Sequence, residues 1–184
     1  MTTAYISYYD AINEQKTRGV MQACGQIIAQ TKATELYFLF SSIGGSVDAG
    51  VALYNFLRAL PVPLVMHNTG SIDSIANVVF LAADERYANS NSTFLFHGIQ
   101  WGFAQGAQLS WTQLQETVSR FRGDEAKIID IISQRTNITG EDLKALFHQG
   151  EVRDTAFAKD KNIIREVKEA KIPANAPFFA LNIP

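Results

Sequence analysis

Apolar and polar positions along the chain fall into short blocks with two different periods. Residues 4–9 (Ala-Tyr-Ile-Ser-Tyr-Tyr) are rich in aromatic and β-branched side chains and predict a strand. The spacing then turns helical: Val20, Met21, Cys24, Ile27 and Ile28 mark one face of a helix over about 13–31. Residues 35–40 (Glu-Leu-Tyr-Phe-Leu-Phe) form a nearly continuous apolar run, which predicts a strand covered on both faces. A second helix is expected over about 47–60, stopped by Pro61. Residues 64–67 predict another short strand, 68–70 a turn, and 74–83 a third helix. A strand over 93–96 follows, with His97 at its end.

Beyond this point helices dominate. Leu114, Val118, Phe121, Ile128, Ile129 and Ile132 form the apolar stripe of one long helix over about 108–135. A small sheet is too short to cover such a helix, so part of it is expected to project, and another copy of the chain is the simplest partner for the projecting part. A kinked helix packed wholly on its own domain is the alternative. A helix over about 140–147, a strand near 151–153, a capped turn at Asp154-Thr155 and a strand over 163–167 are expected to complete the chain. The last residues carry Pro173, Pro177 and Pro184 and predict irregular structure.

Strand and helix alternate through the first half, which implies an α/β fold with a mostly parallel sheet and helices on its faces. No linker or repeat interrupts the pattern, so one domain over 1–184 is expected. Sheets of this kind bind ligands at the carboxyl ends of their strands. Three loops fall there: 42–46, 70–74, and the segment from His97 onward.

Composition narrows the function. Hydrophobic residues make up 47% of the chain and charged residues 18%, the latter below the roughly 25% usual in soluble domains. So little charge points to apolar subunit interfaces in addition to a core. A net charge of −2 and a pI near 5.9 argue against nucleic acid or an anionic membrane as the main partner. The single cysteine, Cys24, excludes an intrachain disulfide and reads as a buried small hydrophobe. The N-terminus shows no signal-peptide pattern, and Asn55, Arg58 and Pro61 break the longest apolar stretch. A soluble cytoplasmic protein is expected, with no metal and no cofactor.

Three pieces carry candidate chemistry. In Gly70-Ser71-Ile72-Asp73-Ser74-Ile75-Ala76, a strand, a turn and a helix start place a serine where the backbone bends sharply, the logic of a nucleophile elbow. The bland alternative is that Ser71, Asp73 or Ser74 caps the helix. Gly44-Gly45 lets backbone N–H groups approach a substrate oxygen, and with the N–H of Ile75 these could form an oxyanion hole; a tight turn without a ligand is the alternative. Of the three histidines, His67, His97 and His148, only His97 ends a strand on the rim where Ser74 should emerge. A serine mechanism needs a base that titrates near neutrality, which imidazole supplies.

The segment Ser42-Ile43-Gly44-Gly45-Ser46-Val47-Asp48-Ala49-Gly50 resembles the Ser-Pro-Gly-Gly-Ser-Val-x-Ala-Gly stretch of Clp protease proteolytic subunits, with Ile43 in place of the proline. Ala52-Leu53-Tyr54-Asn55-Phe56 resembles the helix that follows there. Gly70-x-x-x-Ser74 resembles that family's nucleophile motif, and Asn91-Ser92 with Phe96-His97 its Asn-Ser and Ile-His segment. Gly106-Ala107-Gln108 and the long helix are similar to the family's handle region. The resemblance spans about residues 35–167. It implies the ClpP/crotonase-like fold, with repeated β-β/α units, a projecting handle helix and subunits stacked as rings around a chamber. It also implies serine peptidase activity on peptides or unfolded proteins, with Ser74 as nucleophile, His97 as base and the N–H groups of Gly45 and Ile75 as oxyanion hole. An ATP-dependent unfoldase is the partner it suggests.

The pattern departs from the family at several points. Asp73 replaces an alanine and Ala76 a glycine. The position of the family's third catalytic residue, an aspartate, falls on Gly150; Glu151 is adjacent and Asp154 three residues on. The third residue is therefore Glu151, Asp154 or absent. Two other functions compete: a catalytically weak or silent ring component, and a crotonase-fold enzyme acting on acyl-coenzyme A thioesters.

Overall fold

A computed structural model describes residues 2–183. The first strand β1 (Thr3–Tyr9) leads into helix α1 (Glu14–Thr31), whose N-terminus is capped by the side chain of Asn13 accepting from the Lys16 N–H. Strand β2 (Glu35–Ser42) pairs in parallel with β1, Thr3 facing Glu35 and Tyr9 facing Ser41. Ser46 caps α2 (Val47–Arg58). Strand β3 (Leu64–Asp73) lies in parallel beside β2, and the short helix α3 (Ala76–Phe80) follows.

The sheet forks beyond β3. Residues 65–68 of β3 pair with β4 (Glu85–Ala88), and residues 71–73 pair with β5 (Thr93–Leu95). Between these stretches the register against β2 slips, Phe40 facing Asn68 but Ser42 facing Ile72. The Ser41 hydroxyl bridges the slip, accepting from the Ser71 N–H and donating to the Ser71 carbonyl. The predicted turn at 68–70 is therefore a bulge within one longer strand. Its backbone groups stay paired through Asn68 and Ser41 side chains, so the strand does not end.

After the fork come α4 (Trp111–Arg135), α5 (Gly140–Gln149), β6 (Val152–Arg153), α6 (Thr155–Asp160), β7 (Glu166–Val167) and β8 (Phe178–Ala180). The eight strands form one sheet, ordered β6-β5-β3-β2-β1-β8, with β4 joining β3 to β7. Every pairing is parallel except β5 with β6. The mixed α/β, mostly parallel architecture agrees with the pattern of the sequence.

Several expectations are corrected. Strand β4 was not predicted: Glu-Arg-Tyr-Ala carries no apolar run, because its first three residues are only half-buried near the sheet's margin. Strand β8 lies where irregular structure was expected; after Pro177 it docks on the free edge of β1. The last predicted strand shrinks to β7, since Ile163 and Ile164 are buried on the turn that closes α6. The helix expected from Ser74 begins at Ala76. Strand β2 is packed on one face only: Leu36, Phe38 and Phe40 are buried, whereas Tyr37 and Leu39 are half-covered.

On that packed face, Ala4, Ile6 and Tyr8 of β1, Leu36, Phe38 and Phe40 of β2, and Leu64 and Met66 of β3 meet Val20, Cys24 and Ile27 of α1 and Leu53 and Leu57 of α2. Each fully buried aliphatic side chain contributes about 1.5–3 kcal/mol of transfer free energy. Helix α4 is divided. Ile128 and Ile132 are buried at its C-terminal end, but Trp111, Leu114 and Val118 are exposed at 71%, 41% and 42%. The stripe read from the sequence is thus half core and half projecting surface. Among the described residues, no helix is long and apolar enough to cross a membrane.

Candidate active site

The carboxyl ends of β2, β3 and β5 open on one cleft of about 400 Å³. Gly45, Ser74, Ile75 and His97, the four residues singled out from the sequence, all line it. Apolar walls come from Val47, Phe96, Ile128, Ile132 and Phe147.

Ser74 sits between β3 and α3, outside both. Its φ is +58°, a conformation that costs a non-glycine residue about 1–3 kcal/mol and persists only where the surroundings enforce it. Ser74 does not cap α3: the cap position is Ile75, with no side-chain hydrogen bond. Its N–H donates to the Leu95 carbonyl at 2.9 Å, tying the turn to β5.

The opposing loop is shaped by two glycines. Gly44 has φ +84° and Gly45 φ +145°. A Cβ on Gly44 would stand 2.8 Å from the Ser74 Cβ, and one on Gly45 would collide with the Ile12 carbonyl oxygen. The loop is anchored by Ile12 N–H donating to the Gly44 carbonyl (2.7 Å) and Ser46 N–H to the Ile12 carbonyl (2.8 Å). Among the described residues, the N–H groups of Gly45 and Ile75 donate to no backbone acceptor outside regular structure, so both are available at the cleft.

His97 follows β5 and is half-buried. Its Nδ1 lies 2.8 Å from the Gly98 carbonyl oxygen. A carbonyl only accepts, so Nδ1 carries the hydrogen and Nε2 keeps its lone pair, the tautomer a general base requires. Among the described residues, no carboxylate is hydrogen-bonded to this ring. Glu151 is exposed and pairs with Arg153 at 3.1 Å, Asp154 caps α6 by accepting from the Phe157 N–H at 2.8 Å, and Gly150 ends α5 with φ +59°. Asp73 is absent from the cleft lining. Burial raises its carboxyl above the ordinary value, offset in part by hydrogen bonding from Ser71 and by the charge of His97.

The other histidines serve elsewhere. His67 is fully buried: Nε2 donates to the Lys168 carbonyl at 2.9 Å, and Nδ1 accepts from the Tyr37 hydroxyl at 2.7 Å. Burial lowers its pKa, which keeps this two-sided bond in its neutral form. His148 is exposed in the last turn of α5. Asp124 was missed from the sequence. It lies 95% buried on α4, lines the cleft and pairs with Lys127 at 3.0 Å. Its place one helical turn before Ile128 on the apolar stripe was the available signal. Among the described residues, no cluster of His, Cys, Asp and Glu could hold a metal.

The topology and this rim define a mixed α/β protein that gathers a serine on a strained turn, a histidine and free backbone amides at the carboxyl edge of a parallel sheet. The chain belongs to the Clp protease family, whose family model matches residues 1–171. Over 147 residues it is 25% identical to ATP-dependent Clp protease proteolytic subunit 2 of Treponema pallidum, covering 74% of this chain and 73% of that one. Over 88 residues it is 28% identical to the subunit of the same name from Pseudomonas aeruginosa, covering 47% of this chain and 43% of that one. So the match to the Pseudomonas relative spans less than half of that protein's length. In fold it is similar to ClpP1 from Listeria monocytogenes, solved as a point mutant: TM-score 0.76, 18% identity, 92% of each chain covered.

Proposed function

We propose that the chain is a serine-type endopeptidase subunit that cleaves peptide bonds with Ser74 as nucleophile and His97 as general base. The observation that carries this reading is the convergence of Ser74, His97, Gly45 and Ile75 on one cleft. Ser74 Oγ attacks the scissile carbonyl carbon while His97 Nε2 takes its proton. The oxyanion accepts hydrogen bonds from the N–H groups of Gly45 and Ile75. The imidazolium then protonates the leaving amine, and water, activated by the same ring, hydrolyses the acyl-enzyme.

The Gly98 carbonyl sets the tautomer of His97 but brings no negative charge to the imidazolium. In a Ser-His-Asp triad, replacing the Asp by Asn lowers kcat by about 10⁴, mainly through the wrong tautomer. Here the tautomer is right but no carboxylate bonds the ring directly, Asp73 acting on it only through space, so turnover is slow rather than absent. That lack also favours a second reading, a ring component with little or no activity. In either case the subunit works in an oligomer: Trp101, Phe103, Leu109, Trp111, Leu114 and Val118 expose apolar surface suited to further copies of the chain. We place it in the cytoplasm, as a single domain over 1–184, receiving unfolded segments from an ATP-dependent unfoldase and using no cofactor.

The test is labelling with a fluorophosphonate, read by intact mass beside light scattering. One adduct in the wild type and none in Ser74→Ala supports the peptidase. An intact oligomer that never labels supports the silent ring component and ends the first reading.

A further inference from the structure

We propose that Asn77 is a positioning residue that sets Ser74 and His97 relative to each other; this rests on the reading of those two residues as the reacting pair. Helix α3 is otherwise apolar: Ala76, Val78, Val79 and Phe80 are completely buried, and Asn77 is 1% exposed among them. Its Nδ2 lies 3.3 Å from the Ile72 carbonyl, 3.1 Å from that of Ser74 and 2.9 Å from that of Leu95. Three carbonyls fix the orientation of the amide, because the flipped form would set Oδ1 against three acceptors. Its own Oδ1 is buried without a partner.

That orphan oxygen is the informative feature. A buried polar atom with no hydrogen bond destabilises a fold, and an alanine or leucine here would avoid it. The three accepting carbonyls sit where the proposed chemistry is assembled. Ile72 precedes the strained turn, Ser74 is its centre, and Leu95 lies two residues before His97 on the neighbouring strand. The Leu95 carbonyl already accepts the Ser74 N–H at 2.9 Å. One amide thus ties the strand carrying the serine to the strand carrying the histidine and holds Ser74 at φ +58°. Local strain kept at a cost in stability is the mark of a site that needs its geometry.

The experiment compares the full-length protein with Asn77→Ala and Asn77→Ser by fluorophosphonate labelling rate and melting temperature. Asn77→Ala is expected to label about 10- to 100-fold more slowly, the scale of a misplaced reacting group. Its melting temperature should fall as well, because buried carbonyls lose a donor and a void is left, so the labelling rate of the folded protein is the readout that decides. Asn77→Ser keeps one donor and should recover part of the rate. A purely structural role would lower the melting temperature and leave the labelling of folded protein unchanged; that result overturns the proposal. Should the wild type not label, the peptidase reading fails separately, and the crystal structure of Asn77→Ala decides this one. Ser74 leaving positive φ and the Leu95 carbonyl moving support it, and both staying in place reject it. If Asn77→Ala does not fold, the same two readouts on Asn77→Ser decide in the same way.

Discussion

The two ends of the rim are built in opposite ways. At the serine end, Ser74 is held at positive φ, faced by two glycines that tolerate no Cβ, and bonded to β5. At the other end, between α5 and α6, every candidate for an orienting carboxylate has different work. Gly150 closes a helix, Glu151 pairs with Arg153, and Asp154 opens a helix. A strained serine turn is maintained while, among the described residues, no carboxylate is hydrogen-bonded to His97. On the proposed reading, the contrast teaches that positioning a serine and orienting its base with a bonded carboxylate are separable.

The largest effects should come from the serine end. Ser74→Ala is expected to remove fluorophosphonate labelling entirely, and His97→Ala to slow it by about 10²–10⁴, the range of general-base catalysis. Labelling as fast in His97→Ala as in wild type would break the comparison, because the ring would then do nothing. Gly45→Ala should destabilise the fold by about 1–3 kcal/mol or more, through positive φ and collision with the Ile12 carbonyl. A urea midpoint equal to wild type would show that the loop relaxes at no cost.

At the acid end, Asp154→Ala should cost about 1 kcal/mol, the usual value of an N-cap, and leave the labelling rate unchanged. A fall in rate without a fall in stability would restore Asp154 as the third catalytic residue. The smallest effect concerns Asp73. Its carboxyl is raised in the folded state above its ordinary 3.8, so the folded chain holds that proton more tightly than the unfolded one. Stability from this group is present at low pH and is lost as pH rises through the folded value. Asp73→Asn should remove that fall, so that the stability of the variant relative to wild type improves as pH rises, measured by urea midpoints from about pH 3 to 7. An unchanged slope would show that the carboxylate is solvated in the fold.

Much of this arrangement is legible in residue order. The helical spacing of Val20, Cys24 and Ile27, the apolar run of β2, and the position of His97 after β5 all carry a local signal. Glu85-Arg86-Tyr87-Ala88 carries none, because it is a strand by virtue of its neighbours, and Phe178-Phe179-Ala180 became one only by meeting the open edge of β1. Asn77 looks like any polar residue in a short helix until Leu95, 18 positions away, is brought beside it.

Periodicity, the glycine pair and the ordered serine and histidine were therefore determined by the sequence alone, since each depends on near neighbours and on backbone preferences. Tertiary structure alone decided that Ser41 bridges a bulge, that the Gly98 carbonyl accepts from His97, and that half of the α4 stripe is left uncovered. Those outcomes depend on which distant groups arrive within hydrogen-bonding or packing distance, and that is a property of the closed sheet.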